Sequence, residues 1–464
     1  MRCCDSLGPV TAAFVAGLSV KGLVLGMLDA GEAQEPVEPT VAGSHTCRFC
    51  GSPLRLQLVD LGASPLCERF LRSDQLDEME PFFPLRVEVC EVCFLAQLPA
   101  YVPPEDIFRE YAYFSSFSDS WLAHASRYAD EMVGRLDLTD SSLVVEVGSN
   151  DGYLLRRFVE RGIPVLGIDP ASNVATVADR NGVPTLAEFF GRDLATGIVR
   201  SGRRADLLVG NNVLAQVPDI NDFVAGLCIL LADDGLLTIE VPHLLRLMEG
   251  NQFDTIYHEH FSYFSVLALR RIFRAHGLTI VDLDRLETHG GSIRLHIRHT
   301  AGTTARTTEG ARVAAAVDEE LAAGMGEASG YRSFAARASG VRRDILAFLI
   351  EQHRQGRTIA GYGAPGKANT LLNYCGVRPD LLPFTVDRNP YKQGRFTPGT
   401  RIPIMAPEAL TVARPDYVWI LPWNLRDEII DQLGDAVSAW GGAFVVAVPT
   451  LEVIEARPSS RRPE

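Results

Sequence analysis

The sequence predicts an α/β protein in three folded parts behind a short leader, and three observations in its 464 residues carry that expectation. Apolar runs alternate with amphipathic helical stretches over about residues 140–300 and again over about 355–455. Two CxxC pairs precede both blocks. The balance of 47% hydrophobic to 22% charged residues suits a chain that buries several cores, and at roughly 150 residues per domain the length allows three.

Residues 1–46 are expected to be a disordered leader. They carry an apolar stretch, Val10 to Leu28, interrupted by Lys21, then an Ala/Glu/Pro-rich run from Ala30 to Val41; Met27 is an alternative start. Asp5 and Lys21 spoil the pattern of an export signal, and no other apolar run reaches the 18 residues of a membrane span. Nine cysteines are too few for a secreted disulfide scaffold of this size, so a reducing cytoplasm is the expected compartment. The net charge of -14 (44 Lys+Arg, 58 Asp+Glu) argues against a nucleic-acid partner but leaves room for an anionic ligand held by a local basic cluster.

Residues 47–110 form the first folded part. Cys47-Arg48-Phe49-Cys50 and Cys90-Glu91-Val92-Cys93, separated by 39 residues, supply the four thiolates of a closed, structural Zn²⁺ site. Cys67 has no partner at ligand spacing and is expected to be a packed residue.

Residues 111–300 form the second part, with strand candidates at Leu143–Gly148, Val165–Asp169, Asp206–Gly210, Leu236–Val241, Leu278–Asp282 and Ser292–Arg298, enough for a doubly wound sheet. The first strand runs into Glu146-x-Gly148-x-Asn150-Asp151-Gly152 and then a helix. This is not the dinucleotide fingerprint, whose glycines admit a pyrophosphate; acidic and amide side chains here suit a cofactor with a cationic or zwitterionic amino-acid end, pointing to S-adenosylmethionine. Asp169 ends the second strand, placed to accept from a ribose diol. Phe189, in Glu188-Phe189-Phe190 after a third strand, is placed to stack on adenine, and Asn211 at the end of the Asp206–Gly210 strand is the candidate for the methionyl part.

The densest titratable cluster is Tyr257-His258-Glu259-His260, beyond the next strand. Carbon methylation beside a carbonyl needs a base to remove the acidic hydrogen and a donor to stabilise the enolate, and these residue types supply both. A metal site is the alternative, weakened because histidines two apart on a helix point to different faces. Residues 301–355, Ala/Arg/Glu-rich with Val313, Ala316, Val317 and Leu321 at helical spacing, are expected to form a helical connector.

Residues 356–464 open with Gly361-x-Gly363-x-x-Gly366-Lys367 after a short strand. The loop fits NAD or any diphosphate equally well. Downstream, Asp387 could serve a ribose or open a substrate loop with Tyr391 and Lys392.

Taken in order, the CxxC pairs, EVGSNDGYLL, GIDPA, NNVLAQVPD, YHEHFSYFS, HGGSIR, GYGAPGKANTLLNY and DRNPYKQGRFTPGT closely resemble the S-adenosylmethionine-dependent 3-C-methyltransferases of nucleotide-activated 4-keto-deoxysugars, over residues 47 to about 455. The resemblance implies a zinc module, a central class I (Rossmann-like) methyltransferase domain and a C-terminal Rossmann-like domain that helps hold the nucleotide sugar rather than NAD. It implies His260 as the base, with Tyr257 and Glu259 assisting, and Tyr111 lining the sugar site. Ser115, Ser116, Lys367 and Asn369 would lie near the diphosphate. Gln216 stands where relatives show a histidine, which keeps a polarising role and loses a titrating one. A monomer or homodimer is expected. An NAD-dependent oxidoreductase, a methyltransferase acting on another carbon or oxygen, and a zinc-ribbon binding protein are the competing readings.

Overall fold

The computed structural model describes residues 46–108, 116, 119–301 and 308–457. The leader up to residue 45, Tyr111 and Ser115 fall outside the described residues, which all belong to one compact unit.

Three sheets organise the chain. The first contains β1 (Leu56–Ser64), β2 (Phe83–Val89) and β3 (Ala96–Gln97), each antiparallel to its neighbour. The second is built from β4 (Val144–Val147), β5 (Val165–Ile168), β6 (Thr185–Leu186), β7 (Ala205–Asn211), β8 (Leu231–Pro242), β10 (Leu278–Leu286) and β11 (Ser292–His299). Its order is β10-β11-β8-β7-β4-β5-β6, with β4 to β8 parallel and the β10–β11 hairpin antiparallel against β8. All six expected strands are present, and the two-residue β6 is the third strand that precedes Glu188. β4 is buried at all four positions, as a strand covered on both faces must be.

One further strand, β9 (Ser262–Tyr263), leaves the central part and joins the first sheet, pairing Ala96 with Tyr263 and Gln97 with Ser262. The zinc-side sheet is therefore completed by the residues that follow His260, which ties the end of the Tyr257–His260 segment to the module.

The third sheet runs β14-β13-β12-β15-β16-β17, from β12 (Ile359–Tyr362), β13 (Thr385–Val386), β14 (Ile404–Met405), β15 (Tyr417–Ile420), β16 (Ala443–Val446) and β17 (Glu452–Glu455), with only β17 antiparallel. In both α/β sheets the strand order reverses beside the first strand, between β4 and β7 and between β12 and β15. Such switch points open a crevice at the carboxyl ends of the strands.

Helices Ala311–Ala322 and Phe334–Arg354 occupy the expected connector. Val313, Ala316 and Val317 are buried, but Leu321 is 50% exposed, against expectation. Its neighbour Glu320 turns inward instead: the carboxylate accepts from the backbone N–H groups of Val266 and Leu267 and contacts His243 Nε2 at 2.7 Å. It thereby satisfies the start of helix Val266–Ala275, a demand that hydrophobic spacing does not register. Among the described residues no helix is long and apolar enough to cross a membrane.

Candidate active site

The four cysteines come together with all sulfurs within 4.8 Å of one another; Cys47–Cys93 and Cys50–Cys90 are each 3.5 Å apart. Tetrahedral bonds of about 2.3 Å require edges of about 3.8 Å, so the set fits Zn²⁺ with no open position. The hydrogen bond from Cys93 holds the Cys47 thiol down at about 4 while Cys93 is pushed up in return; the pair shares a proton that a dication would expel. No other group of three or more potential ligands converges among the described residues. His258 donates from Nε2 to the Pro84 carbonyl at 3.2 Å and packs edge-on against Phe83.

A cavity of about 480 Å³ lies where the switch points of both α/β sheets meet the Tyr257–His260 segment. Gly148, Asn150, Asp169, Phe189 and Asn211 line one region, and Gln216, Tyr257, Glu259 and His260 another. Lys367 and Lys392 line a third. Glu146, Asp151, Gly152, Asn369, Tyr391 and Ser116 are not in its walls.

His260 is positioned for a base. Its Nδ1 lies 3.2 Å from the Thr255 carbonyl, which can only accept, so Nδ1 carries the proton and Nε2 keeps its lone pair. Burial holds its pKa down at about 4, with the charges of His289 and Lys367 pushing the same way. The Tyr257 ring lies against it, centroids 4.1 Å apart, and burial followed by the charges of Cys67 and Glu259 raises the phenol well above its ordinary range. Cys67 is buried as expected, yet it also reaches the site: its Sγ lies 3.6 Å from Glu259 Oε1. Its solitary spacing gave no sign of that.

The residues expected to bind the cofactor gather at the β4/β7 crevice. Gly148 and Gly152 have φ of +74° and +78°, and a Cβ on either would stand 3.0 Å from Val213 or Val183. Asp169 accepts from the N–H groups of Asn150 and Ala171, both at 2.9 Å. Asn211 Oδ1 and Asn212 Oδ1 are buried without partners at the end of β7, acceptors that fit the ammonium group of S-adenosylmethionine. Glu146 lies beneath the crevice, wholly buried, and its pKa is raised well above the carboxylate range by burial and then by Asp169 and Asp151. The Tyr153 hydroxyl lies close enough to oppose that rise, but neither Glu146 oxygen has a hydrogen bond of ordinary geometry. Ser116 reaches this region through its backbone, donating to Asp151 Oδ2 at 3.3 Å.

The second glycine loop differs from a dinucleotide site in what surrounds it. A Cβ on Gly361 would stand 2.6 Å from Thr385, one on Gly363 2.6 Å from Pro422, and one on Gly366 3.0 Å from Cys67 and 3.1 Å from Glu68. All three glycines are consumed by packing within the protein. The Glu68 carboxylate lies beside Gly366 at the start of helix Gly366–Cys375, the position a diphosphate would take. Asp387 accepts from the N–H groups of Ala364 and Asn389, as Asp169 does from those of Asn150 and Ala171. Asn369 donates to the Cys67 carbonyl at 2.6 Å, fastening this helix to the zinc module, and Tyr391 is 59% exposed. Lys367 contacts Asn424 Oδ1 at 2.8 Å and lies over Trp423; Lys392 contacts the Ala364 carbonyl at 2.9 Å and Glu68 at 3.4 Å.

Sequence reasoning assigned no role to His289, which lines the same cavity. It had appeared only within the HGGSIR motif, and nothing in that spacing reports where the ring goes.

Matches to three domain families follow the same order along the chain. Residues 47–108 match a zinc binding domain, 121–283 a methyltransferase domain, and 287–449 a C-methyltransferase C-terminal domain. The C-methyltransferase NovU of Streptomyces niveus is 40% identical over 410 residues, covering 88% of this chain and 97% of that protein. Among solved structures, magnesium protoporphyrin IX methyltransferase of Synechocystis PCC 6803 matches at 18% identity over 43% of this chain and 99% of its own, TM-score 0.32. The 1,6-didemethyltoxoflavin-N1-methyltransferase of Burkholderia thailandensis matches at 21% over 44% and 94%, TM-score 0.31. With three family models in order and a 40% identical relative matched almost end to end, the chain belongs to the C-methyltransferases and is an S-adenosylmethionine-dependent member of that family with a zinc-binding domain whose four cysteines are placed to hold a metal.

Proposed function

We propose that the enzyme methylates C3 of a nucleotide-diphosphate 4-keto-6-deoxysugar, of the thymidine-diphosphate class, in the biosynthesis of branched deoxysugars. The observation that carries the reading is the free Nε2 of His260 in a cavity that also holds the cofactor crevice and two lysines.

His260 Nε2 takes the C3 proton, and its Nδ1–H, tied to the Thr255 carbonyl, fixes the ring for that transfer. Glu259 and Tyr257 border the base, Gln216 offers an amide donor to the sugar, and Lys367 and Lys392 favour an anionic substrate at the mouth of the third sheet. Asn150, Asp169, Phe189 and Asn211 would hold S-adenosylmethionine, with Glu146, Asp151 and Gly152 shaping the loop beneath. That cofactor supplies an electrophilic methyl group. Positioning and enolate stabilisation provide the rate. Tyr111, Ser115, Ser116 and Asn369 remain proposals by resemblance, and Tyr391 one from its place in the loop after Asp387, with Ser116, Asn369 and Tyr391 outside the cavity walls. The packed glycine loop disfavours an NAD-dependent oxidoreductase.

Incubation with S-adenosylmethionine and a panel of nucleotide 4-keto sugars, scored by mass for one added methyl group, tests the substrate class. Wash-in of solvent deuterium at C3 tests the base: His260→Asn should abolish it, and undiminished exchange would sink the assignment.

A further inference from the structure

The proposed chemistry makes negative charge on the C4 oxygen as the C3 proton leaves, so it requires a donor aimed at that oxygen. Lys367 is engaged by Asn424 and by the face of Trp423. Another group in the cavity wall has a donor to spare.

His289 lies at the tip of the β10–β11 hairpin, in the left-handed region at φ +54°. Such a conformation is costly for a non-glycine residue and persists only where the surroundings enforce it. Here they do. Gly290 (φ +85°) has Trp423 at 2.4 Å from the place its Cβ would take, and Gly291 (φ +119°) has Arg246 at 2.9 Å. The Gly290 carbonyl accepts from Gln252 Nε2 at 2.7 Å, and Thr288 Oγ1 contacts Glu240 Oε1 at 3.0 Å. The ring is held as firmly: the Trp121 ring meets it edge-on, with centroids 5.6 Å apart.

Asn212, itself left-handed at φ +56° and part of the same wall, presents Nδ2 to His289 Nε2 at 3.4 Å. An amide nitrogen can only donate, so Nε2 accepts and, in the neutral ring, the proton sits on Nδ1. His260 has the reciprocal arrangement, with Nδ1–H spent on a carbonyl and Nε2 open. Both histidines line one cavity, and in these tautomers one ring keeps a free lone pair and the other an N–H. With Nε2 occupied by the Asn212 amide, the N–H of the neutral ring stays on Nδ1.

We propose that His289 is a catalytic residue that donates a hydrogen bond from Nδ1 to the C4 oxygen of the sugar as His260 removes the C3 proton. The C3–H pair becomes the C3–C4 double bond, the carbonyl pair moves to the oxygen facing His289, and the proton stays on His260. The C3–methyl bond would form as the methyl–sulfur bond of the sulfonium donor breaks and its pair leaves with the sulfur, the oxygen pair would return to re-form the C4 carbonyl, and His289 keeps its proton throughout. The inference rests on the proposed keto-sugar substrate.

Steady-state kinetics and C3 deuterium exchange with His289→Ala and His289→Asn test it. Loss of one such donor costs about 10²–10³ in kcat. His289→Ala is expected to lower kcat by that factor, to slow exchange in parallel, and to leave the KM for the sugar within about threefold. Asn tolerates the left-handed conformation and retains a donor, so His289→Asn should recover about tenfold. Unchanged kcat and exchange in His289→Ala, a loss confined to KM, or His289→Asn no better than Ala while both bind S-adenosylmethionine normally, would overturn the assignment. Failure of the wild type itself to exchange deuterium at C3 would instead bring down the substrate reading, and this inference with it.

Discussion

Acidifying the free enzyme tests the central assignment in its most quantitative form. A solvent-exposed imidazole titrates near ~6.5 and is only ~3% neutral at pH ~5; with burial holding His260 at about 4, about nine-tenths of it remains a competent base there. At that pH kcat/KM should thus exceed the expectation for an ordinary histidine by about 30-fold. The measurement is kcat/KM for methyl transfer from about pH 4.5 to 8, since that ratio reports ionisations of the free enzyme. One neighbour complicates the curve. Asp254 is pushed up to about 6 by burial, against the pull of Lys367 and the Trp423 N–H, so an inflection near 6 belongs to it and should vanish in Asp254→Asn. A break near ~6.5 that survives Asp254→Asn would refute the reasoning. Stability follows with opposite signs for the two groups. The unfolded chain binds the extra proton at His260 between about 6.5 and 4, so that residue's contribution is lost as pH falls through the window, on the order of 3 kcal/mol in all. Asp254 binds its proton more tightly when folded, so it costs stability at neutral pH and the cost is relieved as pH falls below about 6. Urea melts of wild type, His260→Asn and Asp254→Asn at pH ~7 and ~5 separate the contributions.

Three further outcomes are expected. Cys93→Ser should lower bound zinc per chain and loosen residues 47–108 to limited proteolysis, with activity falling too because β3 carries β9; full zinc content in the variant would contradict the four-thiolate site. Gly363→Ala, forced to φ +89° with Pro422 at 2.6 Å, should cost roughly 1–3 kcal/mol in a denaturant melt, while NADH fluorescence stays unchanged by wild type and variant alike. Glu320→Ala, which strips two backbone N–H groups and His243 of a buried acceptor, should destabilise by roughly 3–5 kcal/mol with the KM for S-adenosylmethionine unchanged; a loss below ~1 kcal/mol would show that the acceptor is dispensable.

Features with a local cause are legible in the chain itself. Two CxxC pairs fix the ligand chemistry of zinc, apolar runs such as Val144–Val147 fix buried parallel strands, and a glycine turn with amide and acidic side chains distinguishes the first loop from a pyrophosphate cradle. Tertiary structure decided what depends on residues far apart in the chain. GxGxxGK reads as a diphosphate loop until Glu68, some 300 residues earlier, is found on its helix N-terminus and Cys67 against its last glycine. Leu321 follows the helical spacing of the buried face, yet Glu320 is the residue drawn inside, because unpaired N–H groups of another helix need an acceptor there. His289 was visible only as a letter in a motif. Its meaning lies in a tautomer set by Asn212, a conformation enforced by Trp423 and Arg246, and a cavity shared with His260, and those contacts exist only once three sheets have closed around one space.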